Sequence, residues 1–251
     1  MSLRVRPIQY TAHPEDWVAL VTALGGERVR DDGDWRLFAL AGGGVAIHGM
    51  PDGDPAVGRI ELRFVVADLD AALRAVTPAL IELGLSASVT TEDFGRYAAV
   101  TAPDGQHVYL DENSDLVGRV AGTGSGDLAP AEVLPLWYTG DVPGGARVLT
   151  ALGLSTRIRS DSGEWVDLSA PGGGLLAVHG DARTGAVLSF EHPDVRALAE
   201  RLGDAGIAAD VVDENYGLSL RIANPDSPEE LRARIWVNQT QEDLYGYQRL
   251  G

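Results

Sequence analysis

The sequence lacks cysteine and lysine, and each absence excludes a kind of chemistry. Without cysteine, the 251-residue chain can form no disulfide and offers no thiolate for catalysis or metal binding. Without lysine, it can form no Schiff base and has no lysine general base, so all 20 basic residues are arginine. A GC-rich genome favours arginine codons over lysine codons, and this bias explains the missing lysine without any functional reason.

Long hydrophobic runs and positive charge are also scarce. No apolar run approaches the ~18 residues of a membrane span, and residues 1–6 contain no apolar signal region. The net charge of −17 argues against nucleic acid, whose phosphates select basic surfaces. We therefore expect a cytoplasmic protein that binds neither membranes nor nucleic acid. The composition leaves its oligomeric state open.

The chain contains a long internal repeat. The offset between matching residues stays between 122 and 131, so small insertions fall between the elements. A repeat of this length indicates two whole domains of one fold rather than a solenoid of short units. The matching phrases are Ala23-Leu24-Gly25 with Ala151-Leu152-Gly153, Trp35 with Trp165, Gly42-Gly43-Gly44 with Gly172-Gly173-Gly174, His48-Gly49 with His179-Gly180, and Pro103-Asp104 with Pro225-Asp226.

A glycine-rich stretch divides the two copies. Residues 115–131 contain Gly118, Gly122, Gly124 and Gly126, a composition typical of flexible linkers. We predict a first domain over residues 1–117, a linker over 118–131 and a second domain over 132–251. Each domain is long enough to build its own hydrophobic core.

Within each half, a shorter pattern of one strand, one helix and three strands occurs twice. In the first half, an apolar helical face predicts a helix over 15–24. A second helix begins after Asp68, a plausible N-cap, and ends at Gly84. The fold class is therefore α+β, with four βαβββ units. Strands of the first half are predicted near residues 4–11, 27–31, 35–40, 44–48, 59–67, 86–91, 96–101 and 107–111.

This order resembles the vicinal oxygen chelate superfamily, which includes glyoxalase I, bleomycin-resistance proteins and extradiol dioxygenases. Two phrases support the resemblance: the strand-to-helix phrase of residues 62–72 around Asp68, and Ala102-Pro103-Asp104-Gly105 leading into a strand. The resemblance covers both halves and implies two glyoxalase-like domains, each an incomplete β-barrel of two units around a cavity. The superfamily contains metalloenzymes and plain binding proteins, so the fold does not determine the function.

Metal-dependent members of the superfamily carry ligands on the first and last strands of their units. The first-strand ligand, usually His, lies seven residues before the residue that caps the helix, and the last-strand ligand is usually Glu. Only Glu61 among the residues at these positions could bind a metal ion. The resemblance places Arg6, Glu61, Leu134 and Val187 on the first strands, and Tyr109 and Trp236 on the last strands.

His48 and His179 end glycine-rich strands at equivalent places, within one residue of a ligand position. Each could be a cavity group acting as hydrogen-bond partner or base, or a strand-end histidine bonded to a neighbouring loop. A catalytic divalent site needs about three protein ligands. The first half offers at most His48 and Glu61, and the second half offers His179 alone. We therefore predict no cofactor, with a divalent metal as the less favoured alternative.

Three further features receive structural interpretations. Trp35 and Trp165 suit a strand core better than a site. The glycine triplets predict hairpin turns rather than phosphate loops, because no Lys-Ser/Thr sequence follows them. The polar and aromatic segment 238–247 has no copy in the first half. It could fold over the neighbouring barrel, fill an interface or form a packed tail.

These features predict a small-molecule binding protein similar to bleomycin-resistance proteins, with an aromatic or antibiotic-like ligand in an apolar, aromatic cavity. One alternative is a metal-dependent lyase, isomerase or dioxygenase of the glyoxalase type. The other is an interaction protein whose pockets have decayed. Whether the protein is an enzyme stays open at this point. The candidate ligand-binding residues are His48, Glu61, Tyr109, His179 and Trp236.

Overall fold

The structure is a computed structural model that describes residues 2–113, 115–116, 119, 128–214, 217–227, 234–240 and 246–250. Most of the predicted linker lies outside the described residues, and so does the part of the C-terminal segment at 241–245. The elements of the first half are β1 (Arg4–Val5), β2 (Ile8–Thr11), α1 (Pro14–Ala23), β3 (Glu27–Asp31), β4 (Trp35–Ala39), β5 (Gly44–Gly49), β6 (Ile60–Val66), α2 (Leu69–Glu82), β7 (Ala87–Glu92), β8 (Gly95–Thr101) and β9 (His107–Glu112). Those of the second half are β10 (Glu132–Val133), β11 (Leu136–Thr139), α3 (Val142–Ala151), β12 (Ser155–Ser160), β13 (Trp165–Ser169), β14 (Leu175–Gly180), β15 (Gly185–Val187), β16 (Ser189–His192), α4 (Val195–Asp204), β17 (Ala209–Glu214), β18 (Gly217–Ile222), β19 (Ile235–Gln239) and β20 (Tyr247–Arg249).

All four units share one strand order, which confirms the predicted α+β class of four βαβββ units. In each unit, the first strand pairs in parallel with the last, and the two middle strands follow outwards. The two units of the first half join where β2 meets β6, giving the order β3-β4-β5-β2-β6-β9-β8-β7. In the second half, β11 meets β15 in the same way. The described residues form no closed barrel.

Helix α2 begins where the sequence predicts, because a side-chain cap satisfies one of the first backbone N–H groups of the helix. Asp68 accepts a hydrogen bond from the Ala71 N–H at 2.7 Å, and Asp194 caps α4 through the N–H groups of Arg196 and Ala197. None of the four helices in the described part of the chain has the length and hydrophobicity of a transmembrane segment.

Each sheet has one face covered by helices and an opposite face, which we call the open face. On the helix side, Trp17 packs with Phe38, Phe64 and Val108 in a large core that continues into the second half. Strand residues alternate between the two faces, so the other set of side chains forms separate open-face clusters. These clusters consist of Ile8, Leu37, Ala39, Ala46, Val65 and Leu116 in the first half, and Leu134, Leu136, Leu175 and Ala177 in the second.

The two halves contact each other through their glycine triplets, which are turns as predicted. Gly173 accepts a hydrogen bond from the Val5 N–H at 3.0 Å, and a Cβ atom on Gly43 would lie 3.2 Å from the Gly174 Cα. Gly43, Gly173 and Gly174 all have positive φ angles, so glycine is needed there for both conformation and close approach.

Two aspartates at the Pro-Asp turns also link the halves. Asp104 of the first half accepts the Trp137 indole N–H at 3.0 Å. Asp226 of the second half accepts the Trp17 indole N–H at 2.8 Å and the Thr11 hydroxyl at 2.6 Å. Both indoles are buried, so the aspartates satisfy donors that water cannot reach.

Candidate functional site

The open face of the first half is occupied by two arginines. Arg6 from the β1–β2 connection and Arg63 from β6 both pair with Asp111 of β9, Arg63 at 2.6 Å. Arg63 also donates to Glu61 at 2.6 Å, and the Tyr10 hydroxyl donates to the same carboxylate at 3.0 Å. The pairing of opposite charges explains how two guanidinium groups remain buried on one sheet face.

Aromatic rings cover these arginines. The Arg63 guanidinium lies 4.2 Å from the centroid of the Tyr109 ring and 5.2 Å from that of Tyr97. The Arg6 guanidinium lies 5.3 Å from the centroid of the Trp35 ring. Cation–π contacts of this kind hold planar cations against ring faces. Arg6, Arg63 and these rings therefore occupy part of the open face of the first half.

The open face of the second half contains a cavity of about 140 Å³. Aromatic, carboxylate and amide side chains share its wall. Trp165 and His179 are stacked with ring centroids 6.1 Å apart, and Tyr247 of β20 lies 5.5 Å from Trp165. The cavity is lined by Leu134, Ile158, Trp165, Asp167, Ala177, His179, Glu191, Glu214, Gly217, Ser219, Asn238, Gln239 and Tyr247.

A buried ionic cluster forms the charged part of this cavity. Arg157 of β12 donates both terminal nitrogens to Glu191 of β16, at 2.9 and 2.6 Å, and donates to Asp167 of β13 at 2.5 Å. The Thr240 hydroxyl also donates to Glu191, at 3.3 Å. Two carboxylates thus share one guanidinium, and the Asp167 Oδ1 atom is buried with no hydrogen-bond partner among the described residues.

Burial dominates the electrostatics of this cluster. It raises the pKa of Asp167 to about 7, with a further contribution from Glu191 and an opposing one from Arg157. Burial also raises the pKa of the neighbouring Glu132 carboxyl. The pKa of His179 falls to about 4 because the ring is desolvated. His179 is therefore a neutral imidazole at physiological pH.

The repeat and the strand register show how the two halves diverged. Asp167 pairs with Ala177, as Leu37 pairs with Ala46 in the first half. Glu191 pairs with Glu132, as Val65 pairs with Arg4. Two open-face positions that are apolar in the first copy, Leu37 and Val65, therefore carry the carboxylates Asp167 and Glu191 in the second. The sequence-based selection of candidates missed Arg157, Asp167 and Glu191, although aligning the copies marks Asp167 and Glu191 as charges at apolar positions.

The five predicted site residues lie in different places. His48 has its ring 5.3 Å from Tyr10 and 5.6 Å from Trp35, on the open face of the first half. Glu61 and Tyr109 both contact Arg63 there. His179 lines the cavity of the second half. Trp236 faces Arg221, whose guanidinium lies 5.9 Å from the indole ring, and is not among the residues that line the cavity.

The C-terminal segment contributes to the cavity where it is described. Strand β19 carries Asn238 and Gln239, and β20 pairs with β12 along Ile158–Ser160. This pairing places Tyr247 against Trp165. The segment was predicted from sequence only as a possible cover, interface or tail, and its end forms an edge strand of the second half.

Comparison with solved structures identifies the fold. Homoprotocatechuate 2,3-dioxygenase from Brevibacterium fuscum, in complex with 3,4-dihydroxyphenylacetate, is 16% identical, with a TM-score of 0.63 over 95% of this chain and 80% of that one. A catechol 2,3-dioxygenase is 12% identical, with a TM-score of 0.63 over 99% and 95% of the two chains. The homoprotocatechuate 2,3-dioxygenase of Arthrobacter globiformis is 16% identical, with a TM-score of 0.62 over 99% and 80%. No protein-family model and no curated protein matches the sequence.

The chain has the vicinal oxygen chelate fold. This confirms the resemblance that was based on the unit order and on the Pro-Asp-Gly phrase. Similarity at 12–17% identity extends to the fold alone.

The comparison corrects the prediction that the protein has no cofactor. The solved structures compared above are metal-dependent extradiol dioxygenases, so the prediction is wrong as it was made. The prediction was based only on the side chains at aligned strand positions. Those side chains show which groups could bind a metal ion there, and they do not establish that a cofactor is absent.

The residues at the superfamily's ligand positions do not fit a divalent cation. In the first half, Arg6 brings a positive charge and Glu61 already accepts from Tyr10 and Arg63. In the second half, Leu134 is an apolar wall of the cavity. Among the residues that the structure describes, no group of three or more His, Asp or Glu side chains is arranged to hold a metal ion. We assign no chemical step to a metal at these positions.

Proposed function

We propose that the cavity of the second half binds a small organic molecule built on a single aromatic ring. The observation that carries this proposal is the combination of aromatic and polar groups around one cavity of about 140 Å³. An engineered apolar cavity of about 150 Å³ holds benzene. A single ring therefore matches the space, whereas drug-sized ligands occupy pockets of roughly 300 Å³ or more.

The lining of the cavity supports the same ligand class. Trp165 and His179 both line the cavity, and a planar molecule can pack against aromatic side chains. Asn238 and Asp167 supply hydrogen-bonding groups beside them. A few placed polar groups within an aromatic wall are typical of small-molecule sites. On the open face of the first half, Arg6 and Arg63 lie against aromatic rings, which favours the second half as the binding site.

The second candidate function is a metal-dependent dioxygenase. Its support is the fold, which this chain shares with the dioxygenases described above. One of those structures holds 3,4-dihydroxyphenylacetate, itself a single-ring molecule. The residues of this chain at the superfamily's metal-ligand positions do not fit a cation. The similarity of the fold is therefore the only support for the dioxygenase candidate.

The binding proposal is tested with one pair of matched variants. His179 and His48 occupy equivalent strand positions, opposite Trp165 and Trp35 respectively, and His179 is the one that lines the cavity. Binding of phenol, catechol, phenethylamine, 2-phenylethanol and phenylacetate is measured by calorimetry on the intact chain. For the compounds that bind, we expect His179→Ala to raise the dissociation constant roughly two- to tenfold, because a stacking contact is worth about 0.5–1.5 kcal/mol.

His48→Ala should leave the dissociation constants unchanged. Equal effects of the two variants would place binding elsewhere, and no binding at ligand concentrations on the order of 1 mM would refute the proposal. The dioxygenase candidate is tested separately. Oxygen uptake with catechol is measured after anaerobic loading with Fe²⁺ or Mn²⁺, and metal-dependent uptake would make that candidate the leading one.

A further inference from the structure

The cavity of the second half has an excess of negative charge. Asp167 and Glu191 lie in its wall and Glu214 at its exposed rim, whereas Arg157 is the cation paired with the first two. Glu132 adds a further carboxylate behind the wall, close enough to raise the pKa of Asp167. Carboxylates in a desolvated wall repel an anionic ligand and attract a cationic one.

The hydrogen bonds of the cluster leave one acceptor atom free. Both oxygens of Glu191 receive Arg157, and the Asp167 Oδ2 atom receives it as well. The Asp167 Oδ1 atom, on a residue only 5% exposed, has no hydrogen-bond partner among the described residues. A buried acceptor without a partner is costly, and Asp167 lines the cavity, so a ligand that donates to this carboxylate gains more than one that does not.

The rest of the wall is compatible with a positive charge. His179 is neutral at physiological pH and so does not repel a cation. Trp165 and Tyr247 line the cavity, and aromatic rings attract ammonium groups. Asn238 and Ser219 can rotate their polar groups to suit either charge.

We infer that the ligand of this cavity is a single-ring molecule bearing a protonated amine, and that Asp167 is the residue that receives the amine. This inference rests on the proposed function and adds the charge of the ligand to it. The inference also predicts that this cavity disfavours anionic ligands. The ligand bound by the dioxygenase from Brevibacterium fuscum, 3,4-dihydroxyphenylacetate, is a carboxylate.

The test uses three compounds of similar size that differ in charge: phenethylamine, neutral 2-phenylethanol and anionic phenylacetate. Dissociation constants are measured by calorimetry at pH 8 with the full chain. We expect phenethylamine to bind about tenfold more tightly than 2-phenylethanol, as a charge-assisted hydrogen bond should allow, and phenylacetate to bind most weakly. Asp167→Asn should remove most of the amine preference while changing the affinity for 2-phenylethanol by less than about twofold.

Asp210→Asn is the matched control, because it removes a carboxylate from an exposed position of β17 that does not line the cavity, and it should leave the amine preference unchanged. If phenylacetate or 2-phenylethanol binds as tightly as phenethylamine, the inference is wrong while the proposed function stands. If none of the three compounds binds, the proposed function fails and the inference fails with it. The series on the unmodified protein decides between these outcomes even if Asp167→Asn does not fold.

Discussion

At the scale of single residues, the main feature is a carboxylic acid in an apolar setting. Asp167 stands where the first half has Leu37, between the core residues Val166 and Leu168 on strand β13. Arg157 neutralises it only in part, because the same guanidinium also serves Glu191. Burial therefore raises the pKa of Asp167 to about 7. A residue in this state is expected to influence both the charge of the ligand that the cavity favours and the free energy of unfolding.

The raised pKa predicts a pH dependence of stability. The folded protein keeps a proton that the unfolded chain releases between about pH 4 and pH 7, so stability is full below about pH 4 and falls as the pH rises towards 7. Asp167→Asn cannot ionise and should escape this fall. We expect the variant to match the parent protein near pH 4 and to exceed its free energy of unfolding at pH 8 by up to about 4 kcal/mol.

Urea unfolding of the two proteins at a series of pH values measures this difference. The variant Asp210→Asn, at an exposed position of β17, controls for the loss of one negative charge. A difference between Asp167→Asn and the parent that stayed constant with pH would show that Asp167 keeps an ordinary pKa in the folded protein.

At the scale of elements, the turns of one half hold strands and helices of the other. Asp226 accepts hydrogen bonds from Gln9 and Thr11 on β2 and from Trp17 on α1. Asp104, its counterpart in the repeat, accepts one from Trp137 on β11. The two contacts are related by the repeat but differ in the number of donors that they satisfy. This difference allows a direct comparison.

We expect Asp226→Ala to destabilise the protein more than Asp104→Ala. The first leaves the buried Trp17 indole and Thr11 hydroxyl without an acceptor, whereas the second leaves only the Trp137 indole. At roughly 1–3 kcal/mol for each buried donor left unpaired, the losses should be about 2–6 and about 1–3 kcal/mol. Chemical denaturation measures both, and equal losses would contradict this account of the interface.

At the scale of the whole molecule, the halves are joined by both a chain segment and a packed interface. The helix-side core continues from Val5 to Val133, and the glycine triplets contact each other across the halves. The predicted boundaries of the two domains, at residues 117 and 132, stay a proposal. A cut in the segment between them would therefore sever the chain without removing the interface.

Limited proteolysis tests the proposed domain division. We expect the first cut between Gly118 and Ala129, because glycine-rich linker sequences are preferred sites of cleavage. Two fragments of similar size should result, and they should elute together from a sizing column because the packed interface remains. A first cut within Arg59–Leu83, which contains β6 and α2, would contradict the division.

The sequence by itself determined the repeat, the order of elements in the four units, the cap at Asp68, and the turns at the glycine triplets. These features depend on residues that are close together in the chain, so periodicity and local hydrogen bonding reveal them. Two candidate residues on the open face of the first half, Glu61 and Tyr109, also lie together, and both contact Arg63.

Only the tertiary structure decided where a cavity exists. Arg157, Asp167 and Glu191 come from three strands, and Tyr247 joins them from the end of the chain. Their meeting depends on strand register, because a shift of one residue would turn each side chain to the other face of the sheet. Whether an open face becomes a cavity or a filled surface depends on side-chain volume summed across the sheet, which no local pattern in the sequence records.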